Sequence, residues 1–463
     1  MNEPVPWRTR LLHKVFFMTG LDSFRSMPRD VIYLFLQRIV RMFAFGGSTL
    51  VLSLFLSALG NSPKRIGVFM SSTLVGDVII SLSTCLYADH VGRRQVLALG
   101  SLLMAMSGYI FATSDNFWLL LGASIVGVIS PSGSDVGPFK AVEESAMAQL
   151  LPADSYNMIL AWYYMLGSWG ATIGTLSCGW LLQLLEDRDW GTVDAYRCVF
   201  WVYAAMGLVK FALSVLLGRE CESHLRQSRM ANIESRVCDQ SDRETEPLLC
   251  RSDDSSSHTK EPRRATTLVS SMNASTKNFL WKLCPVLFLD SIGSGLANNS
   301  WVVYYFDHKF EVEPGILGSI FSGFNFLTAL SNVLAVPWVR HIGLIKTMVL
   351  GHIVASTALL LLPVSNQLAI ATFLLLLRAA LIDFHQPPRQ TFISQSVGSD
   401  ERTATMGIVN VIRTLAQSPG PFITGFLGDR GKLWLSFSLA GGIKIVYNIL
   451  LWVLFTDPAK QAT

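Results

Sequence analysis

The chain has 463 residues, 51% of them hydrophobic and 15% charged, with a net charge of +4. Soluble domains average roughly 25% charged residues, so this composition excludes a water-soluble globule, and the 12 Trp and 27 Phe suit lipid-facing and interfacial surfaces. The small net charge gives no reason to expect nucleic acid as a partner. The seven scattered cysteines form no C-x-x-C pair, so neither a disulfide framework nor a metal site is indicated, and no cofactor is expected.

In chain order, residues 1–30 carry Arg8, Arg10, Lys14, Arg25 and Arg29 without a signal-peptide pattern, and read as a cytoplasmic tail. Six apolar spans follow, at about 32–59, 66–88, 95–113, 117–148, 155–184 and 196–218. Each reaches the ~20 residues that a bilayer requires, and the longer ones imply tilt or ends that project into water. Residues 31–218 therefore form a first six-helix bundle. Residues 219–278 are rich in Ser, Arg, Asp and Glu with no apolar periodicity, which predicts a disordered cytoplasmic linker. Six further spans, at about 279–306, 315–338, 344–363, 367–397, 403–427 and 432–456, make a second bundle over 279–456, with 457–463 as a cytoplasmic tail. The expected fold class is an all-α membrane protein of about twelve transmembrane helices in two pseudo-symmetric six-helix bundles.

An internal repeat agrees with that division. Pro63 opens the second span and Pro314 the eighth, each at a first helical turn where proline is tolerated. Ala148-Gln-Leu-Leu-Pro-Ala-Asp154 parallels Ser394-Gln-Ser-Val-Gly-Ser-Asp400. Lysine and arginine gather in the N-terminal tail, the 2–3 loop, the linker, and the loops carrying Arg340, Lys346 and Arg402. The positive-inside rule then puts both termini in the cytoplasm.

Between the second and third spans lies Tyr87-Ala88-Asp89-His90-Val91-Gly92-Arg93-Arg94. Asp89 braces a helix end, Gly92 permits a sharp bend, and Arg93 and Arg94 hold the turn at the cytoplasmic face. Asp-x-x-Gly-Arg-Arg at this place resembles the loop 2–3 signature of the major facilitator superfamily, although Cys85 stands where that signature has a glycine. The resemblance implies two rocking domains around a central cavity lined by the first and fourth helices of each half. Ser418-Pro-Gly-Pro421 in span 11 resembles the glycine–proline signature of drug/proton antiporters. That signature belongs in span 5, where the proline is missing here, and Gly122, Ala123 and Ser124 stand where such exporters carry an arginine.

Ionisable groups at membrane depth are costly and so are functional candidates. The acidic substrate or coupling candidates are Asp77, Asp135, Asp290 and Asp383, and the basic ones Arg38, Arg41, Arg378 and Arg413, with Lys210 beside them in span 6. Asp77, about mid-span, is the expected proton-coupling carboxylate, against a paired structural role. Asp135 lies in Ser130-Pro-Ser-Gly-Ser-Asp-Val-Gly-Pro138, whose prolines and glycines break the helix and either line a watery cavity or form a packed kink. Arg38 and Arg41 either line the cavity or snorkel to the interface. Glu143, Glu144 and Arg389, with Asp89, Arg93 and Arg94, are the expected gating and cytoplasmic charge network. Aligning the halves through Gln149 and Gln395 sets Glu143 against Arg389, so one expectation is a Glu143 or Glu144 pair with Arg389 across the domains in the outward-facing state. The other ties the glutamates to Arg93 or Arg94 within one domain.

The expected function is alternating-access secondary transport of a small solute, proton-coupled, by a monomer in a lipid bilayer. The alternative is a non-transporting sensor on the same fold. No G-x-x-x-x-G-K-[ST], H-E-x-x-H or G-x-S-x-G occurs, so neither ATP drive nor an enzyme is expected. Glu244-Thr-Glu-Pro-Leu-Leu249 fits an acidic dileucine sorting pattern, leaving vacuolar or lysosomal membrane open beside the plasma membrane.

Overall fold

The computed structural model describes residues 27–127, 129, 138–218, 273–398 and 401–455. Among the described residues the regular structure is entirely helical. The first half comprises α1 (Arg29–Ala58), α2 (Pro63–Val91), α3 (Arg93–Thr113), α4 (Phe117–Val126), α5 (Pro138–Leu150), α6 (Ala153–Glu186) and α7 (Thr192–Leu216). The second comprises α8 (Ala274–Leu296), α9 (Asn299–Phe310), α10 (Pro314–Ile342), α11 (Leu344–Leu361), α12 (Leu368–Ile382), α13 (Gln386–Ser396), α14 (Arg402–Gln417), α15 (Pro419–Asp429) and α16 (Leu433–Phe455). They make twelve passes in two six-pass bundles. Passes 4, 7, 10 and 11 each consist of two helices: α4 and α5, α8 and α9, α12 and α13, α14 and α15.

The breaks follow from local chemistry. Pro387 and Pro388 lie in the first turn of α13 and cannot donate to the preceding helix, and Pro419 does the same to α15. Asn298 ends pass 7's first piece and caps the second, accepting from the Ser300 amide at 3.0 Å. The fourth pass was expected as one span over 117–148; its helices end at Val126 and resume at Pro138, and 130–137 lie outside the described residues. Helix α8 starts at Ala274, ahead of the expected 279. The tail 1–26, residues 219–272 of the linker and 456–463 also lie outside the described residues.

The repeat is visible in the backbone. The turn from pass 2 to pass 3 bends at Gly92 with φ +100°, and the turn from pass 8 to pass 9 bends at Gly343 with φ +87°. Both are left-handed conformations that suit glycine alone.

Packing shows which end of the molecule is closed. Gly67 on α2 meets α15 so tightly that a Cβ there would lie 2.6 Å from the Pro421 carbonyl oxygen. In the other half, Gly318 on α10 meets α6, where a Cβ would lie 2.6 Å from the Gly179 Cα. Hydrogen bonds between the bundles cluster in the same halves of the passes. Ser53 Oγ donates to the Ser300 carbonyl at 2.8 Å, Ser322 Oγ to the Thr172 carbonyl at 3.0 Å, and Asn325 Nδ2 to Thr175 Oγ1 at 3.0 Å. One apolar core spans both bundles there, running from Phe55 and Phe111 to Trp301 and Phe306. Towards the opposite end the core divides. One part, around Leu34, Met147 and Tyr163, belongs to the first bundle, and another, around Leu283, Met348 and Tyr447, to the second. The bundles are therefore joined at the end where α2 and α10 begin.

Candidate functional site: two buried charge clusters

In the first bundle the cluster is built on Glu143 of α5. Arg41 of α1 reaches its Oε2 with Nη2 at 2.8 Å, and Lys210 of α7 places Nζ 3.4 Å from Oε1. The Tyr163 hydroxyl of α6 donates to the same carboxylate. Glu143 and Lys210 are both 0% exposed. One turn before Arg41, Arg38 lays its guanidinium over the rings of Tyr163 and Tyr164, 4.3 and 5.1 Å from their centroids. Gly167 makes room for it, since a Cβ there would lie 2.4 Å from Arg38 Nε. Asp77 of α2 is buried nearby, and both it and Arg41 act electrostatically on Tyr203.

In the second bundle the cluster is built on Asp290 of α8. Lys444 of α16 binds Oδ1 at 2.8 Å and also donates to Ser294 Oγ at 2.8 Å. Arg389 of α13 lies 3.6 Å from Oδ2. His352 of α11 and His385 stand 3.6 and 3.9 Å from the same carboxylate, and their rings lie 4.4 Å apart. His352 is fixed by Asn448, whose amide donates to the Lys444 carbonyl at 2.7 Å. Ligand-type atoms of Asp290, His352 and His385 lie within 4.8 Å of one another. An entering metal ion would nevertheless meet the Lys444 and Arg389 cations already on that carboxylate, so the donor set fits a charge cluster rather than a metal centre.

The two clusters occupy matching places. Lys210 and Lys444 each carry a polar residue one turn on, Ser214 and Asn448, bonded back to the lysine carbonyl. That residue then meets the third pass of its bundle, at Ser101 in one half and His352 in the other. The lysine is kept, whereas acid and arginine exchange helices. The acid sits on the fourth pass in the first bundle and on the first pass of the second bundle.

The remaining candidates divide. Arg378 of α12 is 3% exposed, donates through Nη2 to the Ala297 carbonyl at 3.5 Å and stands 5.9 Å from the Phe324 ring centroid. Arg413 of α14 lies within electrostatic range of Asp290, Asp383 and Arg389. Among the described residues, no carboxylate comes within 4.0 Å of either arginine. Asp383 sits in the break between α12 and α13, where Asn332 Nδ2 donates to it at 3.3 Å. Asp135 and its Ser-Pro-Gly stretch lie outside the described residues, as does the side chain of Asp89.

The Glu143 or Glu144 pair with Arg389, expected in the outward-facing state, is not formed in this structure. Glu143 and Arg389 are each engaged inside their own bundle, as above. Glu144 takes the Tyr164 hydroxyl and lies 4.0 Å from Lys140. The intradomain alternative differs too. Arg93 does reach α5, but at the Ser145 carbonyl, 3.0 Å away, while Arg94 donates to the Val215 carbonyl at 2.5 Å. These arginines fasten the start of α3 to α5 and α7. Arg38 and Arg41 are buried rather than extended to the interface.

Sequence reasoning passed over Lys444, His352, His385, Tyr163 and Asn448. Lys444 and His352 sit in apolar runs, so the rule that selected Asp290 would have found them.

Two bundles closed on one side around buried charge define a two-domain secondary transporter of the membrane. The pattern of the Major Facilitator Superfamily matches residues 34–249 and 283–463, and the chain belongs to that superfamily. It is 32% identical over 438 residues to an uncharacterised membrane protein of Saccharomyces cerevisiae, covering 94% of this chain and 95% of that one. It is 24% identical over 403 residues to the class E tetracycline resistance protein of Escherichia coli, covering 84% and 86%. Among solved structures it resembles a bacterial homologue of the human lysosomal transporter Spinster in an inward-facing, occupied conformation. The TM-score is 0.68 over 93% of this chain and 97% of that one, at 13% identity, which is a likeness of fold.

Proposed function

We propose that the protein is a proton-coupled secondary transporter of a small solute, with Asp383 as its principal proton carrier and Asp77 as a second. The observation that carries this reading is the surroundings of Asp383. It lies at the helix break of pass 10 and accepts from the neutral amide of Asn332 at 3.3 Å, while Arg378, Arg389 and Arg413 act on it without an ion-pair contact. A carboxylate whose direct contact is an amide gains and loses a proton without breaking an ion pair. Glu143 and Asp290 cannot, because each compensates two cations from other helices. In this proposal those clusters staple each bundle into a rigid body, and the bundles rock against one another.

With both termini in the cytoplasm, the closed end is the outer one and the structure is the inward-facing state. The protein works as a monomer, in the plasma membrane or a vacuolar or lysosomal membrane.

The test is reconstitution into liposomes. Asp383→Asn is expected to abolish accumulation driven by a pH gradient while retaining counterflow exchange, and Asp77→Asn to reduce driven accumulation less. Driven accumulation at the wild-type level in both variants overturns the coupling assignment. Absence of counterflow in the wild type, across a broad solute panel, favours a sensor on the same fold.

A further inference from the structure

Among the described residues the Arg378 guanidinium makes no ion pair with a carboxylate, and Asp383 acts on it only from a distance; it lies about 15 Å along α12 from its start, at 1.5 Å per residue. Its Nη2 has the Ala297 carbonyl, and its Nη1 has no hydrogen-bond partner. Ala297 lies in the break of pass 7, and the residues around that break repeat the pattern. Asn298 gives its carbonyl oxygen to the Ser300 amide, which leaves its Nδ2 unpartnered. Trp301 Nε1 is unpartnered at 0% exposure, and Thr49 Oγ1, beside Ser300 across the bundle interface, is unpartnered as well. The guanidinium, amide and indole nitrogens are all donors; the threonine hydroxyl serves either way.

Buried donors without acceptors are uncommon in native proteins, and a cation at membrane depth with no carboxylate in contact is costly. A ligand that relieves both must carry acceptor oxygens and negative charge. A neutral polyol would satisfy the donors and leave the charge. A cation would be repelled by Arg378 and by Arg413 beyond it. A carboxylate or phosphate group answers both needs, because its oxygens match the guanidinium fork in a bidentate pair.

We propose that the transported solute is a small anion whose carboxylate or phosphate group docks on Arg378 at the break of pass 7. This rests on the transporter reading above and adds the substrate class to it. The site lies at the junction where Ser53, Ser300 and Thr49 join the bundles. A bound anion there touches both halves and senses their separation.

The test uses the purified full-length chain and four probes: succinate, inorganic phosphate, D-xylose and choline. Thermal stability is followed as each is titrated, since a ligand selective for the folded form raises it. At least one of the two anions is expected to give a saturable rise, with no response to xylose or choline; which anion responds separates the carboxylate from the phosphate source. Arg378→Met is expected to weaken that anion's apparent Kd by about tenfold or more, as loss of a charge-assisted bond implies. Arg378→Lys, which keeps the charge and loses the fork, is expected to fall between. No response to either anion, a response to xylose or choline in their place, or unchanged anion affinity in both variants overturns the proposal. If Arg378→Met does not fold, the wild-type panel and the lysine variant decide. Anion binding without counterflow would leave the anion site on Arg378 standing and remove the transporter reading. Proton-driven uptake of a neutral solute without an anion response does the reverse.

Discussion

The two bundles solve one problem with the same parts in a different order. Each buries a carboxylate, an arginine and a lysine from three passes, and the lysine stays on the sixth. The first bundle places its acid on α5 and its arginine on α1; the second places its acid on α8 and its arginine on α13. The exchange preserves charge neutralisation across each three-helix seam. Neutrality of the seam is therefore what the fold requires, and the identity of the helix carrying the negative charge is free. The second bundle adds two histidines that the first lacks, so the clusters match as staples but differ in chemistry.

The comparison is most strongly tested by removing an acid. Asp290→Ala leaves Lys444 and Arg389 facing one another uncompensated, and is expected to cost about 3–5 kcal/mol, read as a lowered Tm and reduced monodispersity of purified protein. Glu143→Gln is expected to cost less, about 3 kcal/mol, because the amide still accepts from Tyr163. A sharper test rewrites the second cluster in the order of the first. Asp290→Arg alone is expected to be as damaging as the alanine change, and Asp290→Arg with Arg389→Glu to recover part of that loss. No recovery in Tm would mean that helix placement, and not seam neutrality, is what matters.

The smallest effect lies outside the membrane. Glu401, just before α14, accepts from the Thr276 hydroxyl and from the Asn273 amide at 2.6 Å, and these bonds hold its carboxyl below the ordinary value of 4.5. A depressed folded-state pKa contributes stability above the unfolded value, and that contribution is lost as pH falls through the folded one. The amide-exchange protection factors at the start of α8 are accordingly expected to fall below about pH 4.5 in the wild type. In Glu401→Gln they are expected to be lower at neutral pH and to lose that acid dependence.

Much of the fold was legible in the sequence because membrane length, apolar runs and the Pro63/Pro314 repeat are one-dimensional signals. The breaks in passes 7, 10 and 11 were not read, although Asn298, Pro387 and Pro419 announce them. Individual charges such as Arg41 and Asp290 stood out by depth alone, but their partners did not, because which faces of three helices converge is fixed by packing. The gate shows the limit most plainly. Aligning Glu143 with Arg389 identified equivalent positions in two repeats, but it did not reveal the partners each has inside its own bundle in this state. Repeats related by a pseudo-two-fold axis place equivalent residues in separate bundles, where each finds partners of its own.

The glycine contacts at the closed end also make a wedge possible. Because Gly67 and Gly318 leave no space for even a methyl group, a leucine at either position cannot be accommodated while the bundles meet there. On the orientation proposed above, such a variant is held open towards the non-cytoplasmic side. A protein frozen that way is a receptor facing outwards. Its ligand can then be captured by the purified protein from solution, with no need for turnover.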